Sequence, residues 1–115
     1  MAQHSGSLLH GMLDALILKA LSHGRQHGYG VARWIEVSSD EVVQVEEGSL
    51  YPALHRLERR GWIDSEWGLS ELNRKAKLYH ITREGRARLR VETERWRVFT
   101  EAVWKVLLPV RADAR

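Results

Sequence analysis

At 115 residues, 43% of them apolar and none of them cysteine, the chain can build one modest hydrophobic core, and it lacks the residues for disulfides, thiolate zinc sites and cysteine nucleophiles. The net charge of +3 is unevenly spread. Residues 1–48 carry three basic against six acidic side chains, residues 49–90 ten against five, and residues 91–115 five against four, so the positive excess sits mid-chain and suits a polyanionic partner.

The apolar run from Leu8 to Leu21 is broken by His10, Gly11, Asp14 and Lys19. It fits neither a membrane span nor a secretion signal, and a soluble cytoplasmic protein is expected. Leu9, Met12, Leu13, Leu16, Ile17, Ala20 and Leu21 recur at helical spacing, which predicts a first helix over about 9–22, stopped by Gly24. His27-Gly28-Tyr29-Gly30 opens a second helix, about 28–38, with Val31, Ile35 and at most Trp34 turned inward; Ser38-Ser39-Asp40 ends it. The β-branched run Val42–Val45 reads as at best a small edge strand.

A third helix is predicted from about Ser49 to Arg60. Proline is tolerated in a first turn, where amides lack partners anyway, so Pro52 places the helix start near Gly48 or Ser49. Gly61 suits a left-handed cap. Leu50, Leu54 and Leu57 fall at i, i+4 and i+7 and form a buried stripe; Ser49, Tyr51, Pro52, His55, Arg56 and Arg59 fall outside it. A hydroxyl, a phenol, an imidazole and guanidiniums on one outward side suit a DNA groove. A merely solvated amphipathic helix has the same outline, because charged outer faces are common.

The segments C-terminal to this helix shift that balance towards double-stranded DNA. Trp62–Gly68 and Lys77–Thr82 read as two strands joined by a polar loop holding Asn73, Arg74 and Lys75, a hairpin with a basic tip. A long last helix, about 82–108, starts at Thr82 as N-cap and ends at Pro109. Three helices, a hairpin and a helix make an α+β, mainly α architecture: a winged helix-turn-helix over residues 1–81 and a C-terminal dimerisation helix with a short tail over 82–115. In that arrangement the third helix enters the major groove and the hairpin touches adjacent phosphates. Arg56, Arg59, Arg74, Lys75 and Lys77 are then phosphate neutralisers. Ser49, Tyr51 and His55 suit either base edges or oriented phosphate bonds.

Leu89, Trp96, Val103 and Val110 are spaced by sevens, with Phe99 and Val106 between them, which resembles a heptad seam. One short helix on so small a domain cannot bury Trp96, Phe99, Trp104 and Leu107 unaided, so a homodimer through this helix and the first is expected. Met12, Trp96, Phe99 and Val103 mark the interface, or an effector site within it. Two groove helices related by a two-fold axis would read an inverted repeat. Trp96 and Phe99 can stack a flat ligand, or equally can be packed dimer core.

Several of these segments, in order, resemble the PadR family of bacterial transcriptional regulators, in its compact form with a single last helix. They are Leu9-His10-Gly11-Met12-Leu13-Asp14-Ala15-Leu16-Ile17-Leu18, His27-Gly28-Tyr29-Gly30, Glu47-Gly48-Ser49-Leu50-Tyr51-Pro52-Ala53-Leu54-His55-Arg56-Leu57-Glu58, Gly61-Trp62-Ile63, Trp67-Gly68 and Lys77-Leu78-Tyr79-His80-Ile81-Thr82-Arg83-Glu84-Gly85. The resemblance covers about Leu8 to Leu107. It implies a homodimeric winged-helix repressor, often released from DNA by a small aromatic or drug-like effector. By that resemblance Ser49, Tyr51, Pro52 and His55 meet DNA, Gly28 and Tyr29 lie near phosphates, and Arg74, Lys75 and Lys77 form the basic wing. Trp96 matches a position that lines a cavity at the dimer centre in drug-sensing members. Two departures stand out: Ala76 replaces a third basic wing residue, and Leu78 stands where an aromatic is common.

Neither catalysis nor a bound cofactor or metal is expected. His23 and His27 straddle Gly24, so no helix presents them together, and no carboxylate spacing completes a zinc set. His27-Gly28-Tyr29-Gly30 lacks the preceding strand and third glycine of a dinucleotide loop. The rival to a DNA-binding regulator is a winged-helix module used for protein–protein assembly.

Overall fold

The computed structural model describes the backbone of residues 2–109 and the side chains of residues 11–109. The expected side chain of Leu9, and the tail from Val110 to Arg115 with its last heptad position, lie outside them. Helix α1 spans Ala2–Leu21, strand β1 Gln26–His27, α2 Gly28–Ser38, α3 Glu47–Arg59, β2 Ile63–Leu69, β3 Lys75–Ile81 and α4 Arg83–Leu107. The three strands form one antiparallel sheet in the order β1-β3-β2. This is the expected mainly helical winged helix-turn-helix with a long last helix.

The core is where the apolar stripes converge. Leu13, Ile17, Leu18, Ala20 and Leu21 of α1 meet Val31 and Ile35 of α2, Leu50, Ala53, Leu54 and Leu57 of α3, and Ile63, Tyr79 and Ile81 of the sheet. Trp34 is half-buried at the edge, its ring 5.0 Å from that of His23. Fully burying a leucine-sized side chain is worth about 1.5–3 kcal/mol, so these contacts seat α1, α2 and α3 together.

Two expectations need correcting. The run Val42–Val45 is not a strand; the short third strand is Gln26–His27, paired with Tyr79 and Leu78. Asp40 and Glu41 take positive φ of 53° and 65°, which turns the chain, and the amides of Val43 and Val45 are bonded by the Ser39 hydroxyl (3.0 Å) and the Glu36 carboxylate (3.1 Å). With their donors used locally, Val43 and Val45 only pack against the core. The second correction is at α3, which begins at Glu47 rather than Gly48 or Ser49. Leu50 N–H already reaches the Glu46 carbonyl at 2.9 Å. Pro52 therefore falls in the second turn and leaves the Gly48 carbonyl without its helical donor.

The end of α3 is closed as its glycine predicts. Gly61 has φ of 78°, its N–H bonds the Glu58 carbonyl at 3.0 Å, and the next N–H, of Trp62, bonds that of Leu57 at 3.1 Å. Helix α4 is bolted to this same turn. The Thr82 hydroxyl accepts from Gly85 N–H (3.0 Å) and donates to the Gly61 carbonyl (2.7 Å), while Thr82 N–H bonds the Trp62 carbonyl (3.0 Å). Gly85 is buried so tightly there that a Cβ would overlap the Trp62 carbonyl oxygen. Arg60 and Arg88 both lie over the Trp62 ring, 5.1 and 4.9 Å from its centre.

Beyond that seat, α4 runs along α1. Leu89 packs at the core, and Trp96 reaches the neighbourhood of Gly11 and Met12, meeting Phe99 edge-on at 5.6 Å. Further on, Trp104, Val106 and Leu107 stay exposed.

Candidate nucleic-acid interface

Three elements deliver side chains to one concavity: the start of α2, the outer side of α3, and the wing formed by β2 and β3. Its lining includes His27, Tyr29, Tyr51, His55, Trp67 and Lys77. The pairing of β1 with β3 fixes His27, whose Nδ1 lies 2.8 Å from the Lys77 carbonyl and whose ring stacks on Tyr29 at 5.9 Å. His27 is the N-cap of α2 but caps nothing with its side chain, and no acidic residue occupies the first turn. The positive end of the α2 dipole is therefore unneutralised by its own helix, the condition under which a helix start holds a phosphate.

Tyr51 reaches from α3 to that helix start. Gly28 is buried beneath it: a Cβ on Gly28 would stand 3.0 Å from the Tyr51 ring and 3.2 Å from its hydroxyl oxygen. A glycine is thus what allows the phenol to lie against α2, and Tyr51 as a whole remains 45% exposed. Below it Tyr79 closes the floor. Burial first, then the charge of Glu58, then Tyr51, raises the Tyr79 phenol above its ordinary value.

The outward residues of α3 divide into two flanks. Pro52, His55 and Arg59 are exposed along its middle, and Tyr51 and His55 turn towards the wing. Ser49, also exposed, turns the other way, beside Met12, Leu16 and Val45. Arg56, expected among the phosphate neutralisers, is instead engaged within the chain. It is partly buried and grips Asp14 of α1 with Nη2 at 2.6 Å and Nε at 3.4 Å. That pair fixes the roll of α3 against α1.

At the wing tip Asn73 has φ of 60°, the left-handed turn expected of it; its N–H bonds the Ser70 carbonyl at 2.9 Å, and Ser70 N–H bonds that of Arg74 at 2.8 Å. Arg74 and Lys75 are exposed, without a carboxylate partner among the described residues. Lys77 is shared: its Nζ is 3.6 Å from Glu58 and 5.7 Å from the centre of the Trp67 ring. Among the residues of the concavity not assigned to the site from sequence are the aromatic rings of His27 and Trp67, with Tyr79 beneath them. The strand parity that puts Ile63 in the core puts Trp67 on the same face, which is the signal that could have found it.

On the far side, Met12 and Trp96 line a hollow between α1 and α4; Phe99 stands against Trp96, and Val103 comes one turn later, half-buried. No helix among the described residues is long and apolar enough to cross a membrane.

Comparison with known proteins agrees with this architecture. The family described as transcriptional regulator PadR-like matches residues 17–91. A transcriptional regulator from Clostridium thermocellum superposes with a TM-score of 0.79 at 30% identity, covering 89% of this chain and 99% of that one. A PadR-like transcriptional regulator from Bacillus cereus gives 0.73 at 29%, covering 90% and 99%. An uncharacterised protein of Lysinibacillus sphaericus is 28% identical over 96 residues, 84% of this chain and 88% of its own length.

Proposed function

Because the chain belongs to the PadR-like family of transcriptional regulators, we propose that it is a homodimeric repressor that reads an inverted-repeat operator. Residues 1–81 form the DNA-binding part and 82–115 the dimerisation part. In each protomer α3 enters the major groove, the start of α2 holds a backbone phosphate, and the wing lies on the phosphates beside it. The observation that supports this reading is the convergence of polar groups from three separate elements, Tyr29, Tyr51 with His55, and Lys77, on one concavity, with Arg74 and Lys75 exposed further along the wing. Such a regulator works in the cytoplasm, where the DNA is.

The dimer is supported by α4, which leaves the large apolar side chains Phe99, Trp104 and Leu107 exposed, as an uncovered interface would. A two-fold pair places the two α3 helices on half-sites ~34–36 Å apart. The hollow beside Met12 and Trp96, with Phe99 and Val103 along the same helix, is where a flat aromatic effector would sit and loosen the pair.

The test uses gel shifts on the DNA upstream of the protein's own gene, with and without random competitor, which separates this reading from a winged helix used only for protein assembly. Tyr51→Ala is expected to weaken binding to the cognate site more than to random DNA. Lys75→Ala should weaken both alike and flatten the dependence of log affinity on log salt by ~0.9. Equal losses for Tyr51→Ala on both DNAs would reassign it to the backbone.

A further inference from the structure

The wing changes character along its length. On the face turned to α3, Ile63, Ser65, Trp67 and Leu69 of β2 stand opposite Ile81, Tyr79, Lys77 and Lys75 of β3. Ile63 and Ile81 lie in the core, and Ser65 is held by the Glu58 carboxylate at 2.7 Å. Beyond the core edge come Trp67 and Leu69, 61% and 68% exposed, each directly across from a lysine. Both ammonium groups hang over the Trp67 ring, 5.5 and 5.7 Å from its centre. The outer wing is therefore two columns, one apolar on β2 and one cationic on β3.

We propose that this pair of columns grips a single DNA strand along the wall of the minor groove beside the half-site, with Trp67 and Leu69 packed on deoxyribose faces and Lys75 and Lys77 on the phosphates between them. The inference rests on the DNA-binding function proposed above and adds an apolar component to it. Opposed side chains on neighbouring strands are about 4.5–5.5 Å apart at Cβ, close to the step from a phosphate to the sugar beside it. Sugar walls are rich in C–H and carry no charge, so they accept an indole and an isobutyl group as water does not. The columns continue the concavity that already holds Tyr51 and His55, since Trp67 and Lys77 line both. Two apolar side chains beside two ammoniums are too small and too charged a surface for a protein interface, whose standard extent is about 800 Å² per partner.

The contact predicts a separable signature. Release of counterions makes phosphate contacts salt-dependent, whereas packing on sugars leaves the salt slope alone. Affinity for the upstream duplex is measured across a range of salt for the unaltered protein, Trp67→Ala, Trp67→Phe and Lys75→Ala, with thermal melts confirming that each is folded. Trp67→Ala is expected to lose about tenfold at every salt concentration with an unchanged slope, the size of one aromatic stacking contact, while Trp67→Phe keeps most of the affinity. Lys75→Ala should instead flatten the slope by ~0.9. Unchanged affinity in Trp67→Ala, or a flattened slope there, overturns the proposal, the second because the indole would only be seating the lysines. Failure of the unaltered protein to bind removes the DNA-binding function as well, which keeps the two outcomes distinct.

Discussion

Helices α3 and α4 are both amphipathic, and they end up in opposite conditions. The apolar side of α3, Leu50, Ala53, Leu54 and Leu57, is completely enclosed by α1, α2 and the sheet, so what remains outside is polar. On α4 only Gly85 is fully buried, and Phe99, Trp104 and Leu107 keep 49%, 58% and 66% of their surface exposed. A helix whose apolar stripe is satisfied within the chain offers its polar side to a different molecule. A helix whose stripe is not satisfied offers the stripe itself, which in the proposed homodimer meets the matching stripe of a second copy. The two regions are nevertheless joined rigidly, because Thr82 and Gly85 at the start of α4 sit on Trp62 and Gly61 at the end of α3.

The largest effect should come from breaking that joint. Gly85→Ala forces a methyl group into the Trp62 carbonyl, a backbone group that cannot swing aside, and is expected to cost at least about 3 kcal/mol, read as a lowered midpoint in urea. A stability within 0.5 kcal/mol or so of the unaltered protein would show that α4 can re-seat, and that the two helices are less rigidly joined than their contacts imply. Next comes the unfinished stripe. Phe99→Glu is expected to leave a folded monomer by sedimentation and to lower operator affinity by about a hundredfold, as the second half-site is no longer tethered. An intact dimer would place the interface elsewhere. The smallest effect sharpens the contrast on α3 itself. Arg56→Ala should cost about 1–2 kcal/mol of stability by stranding Asp14 in a partly buried position, yet leave the salt slope of DNA binding unchanged. A slope flattened by ~0.9 would return Arg56 to the phosphate contacts.

Much of this fold is legible in the residue order. The stripe Leu50, Leu54, Leu57 located the core side of α3, Gly61 its end, Thr82 the start of α4, and Asn73 the wing turn, because each comes from local backbone chemistry acting over a few residues. The two-residue strand Gln26–His27 was invisible for the complementary reason: two residues have no period, and the strand exists only because β3 offers it an edge. The same distance in sequence hid Arg56. Its partner lies 42 positions away on α1, and nothing around Arg56 distinguishes a guanidinium aimed at phosphate from one aimed at a carboxylate. Trp67 was hidden differently. Its strand parity matches that of a core residue, and only the place where the core stops, between Ser65 and Trp67, leaves it in solvent beside two lysines.

Helix periods, caps and turns are set by interactions between near neighbours, and for this chain the amino-acid order alone specified most of them and with them the winged helix-turn-helix, though not the strand Gln26–His27 or the absence of one at Val42–Val45. Which outward side chains remain free was decided by folding alone, since a charge or a ring is spent or spared according to what the rest of the chain brings within a few ångströms of it. Asp14 takes Arg56 in that way, while Tyr51, His55 and Trp67 are left facing outward.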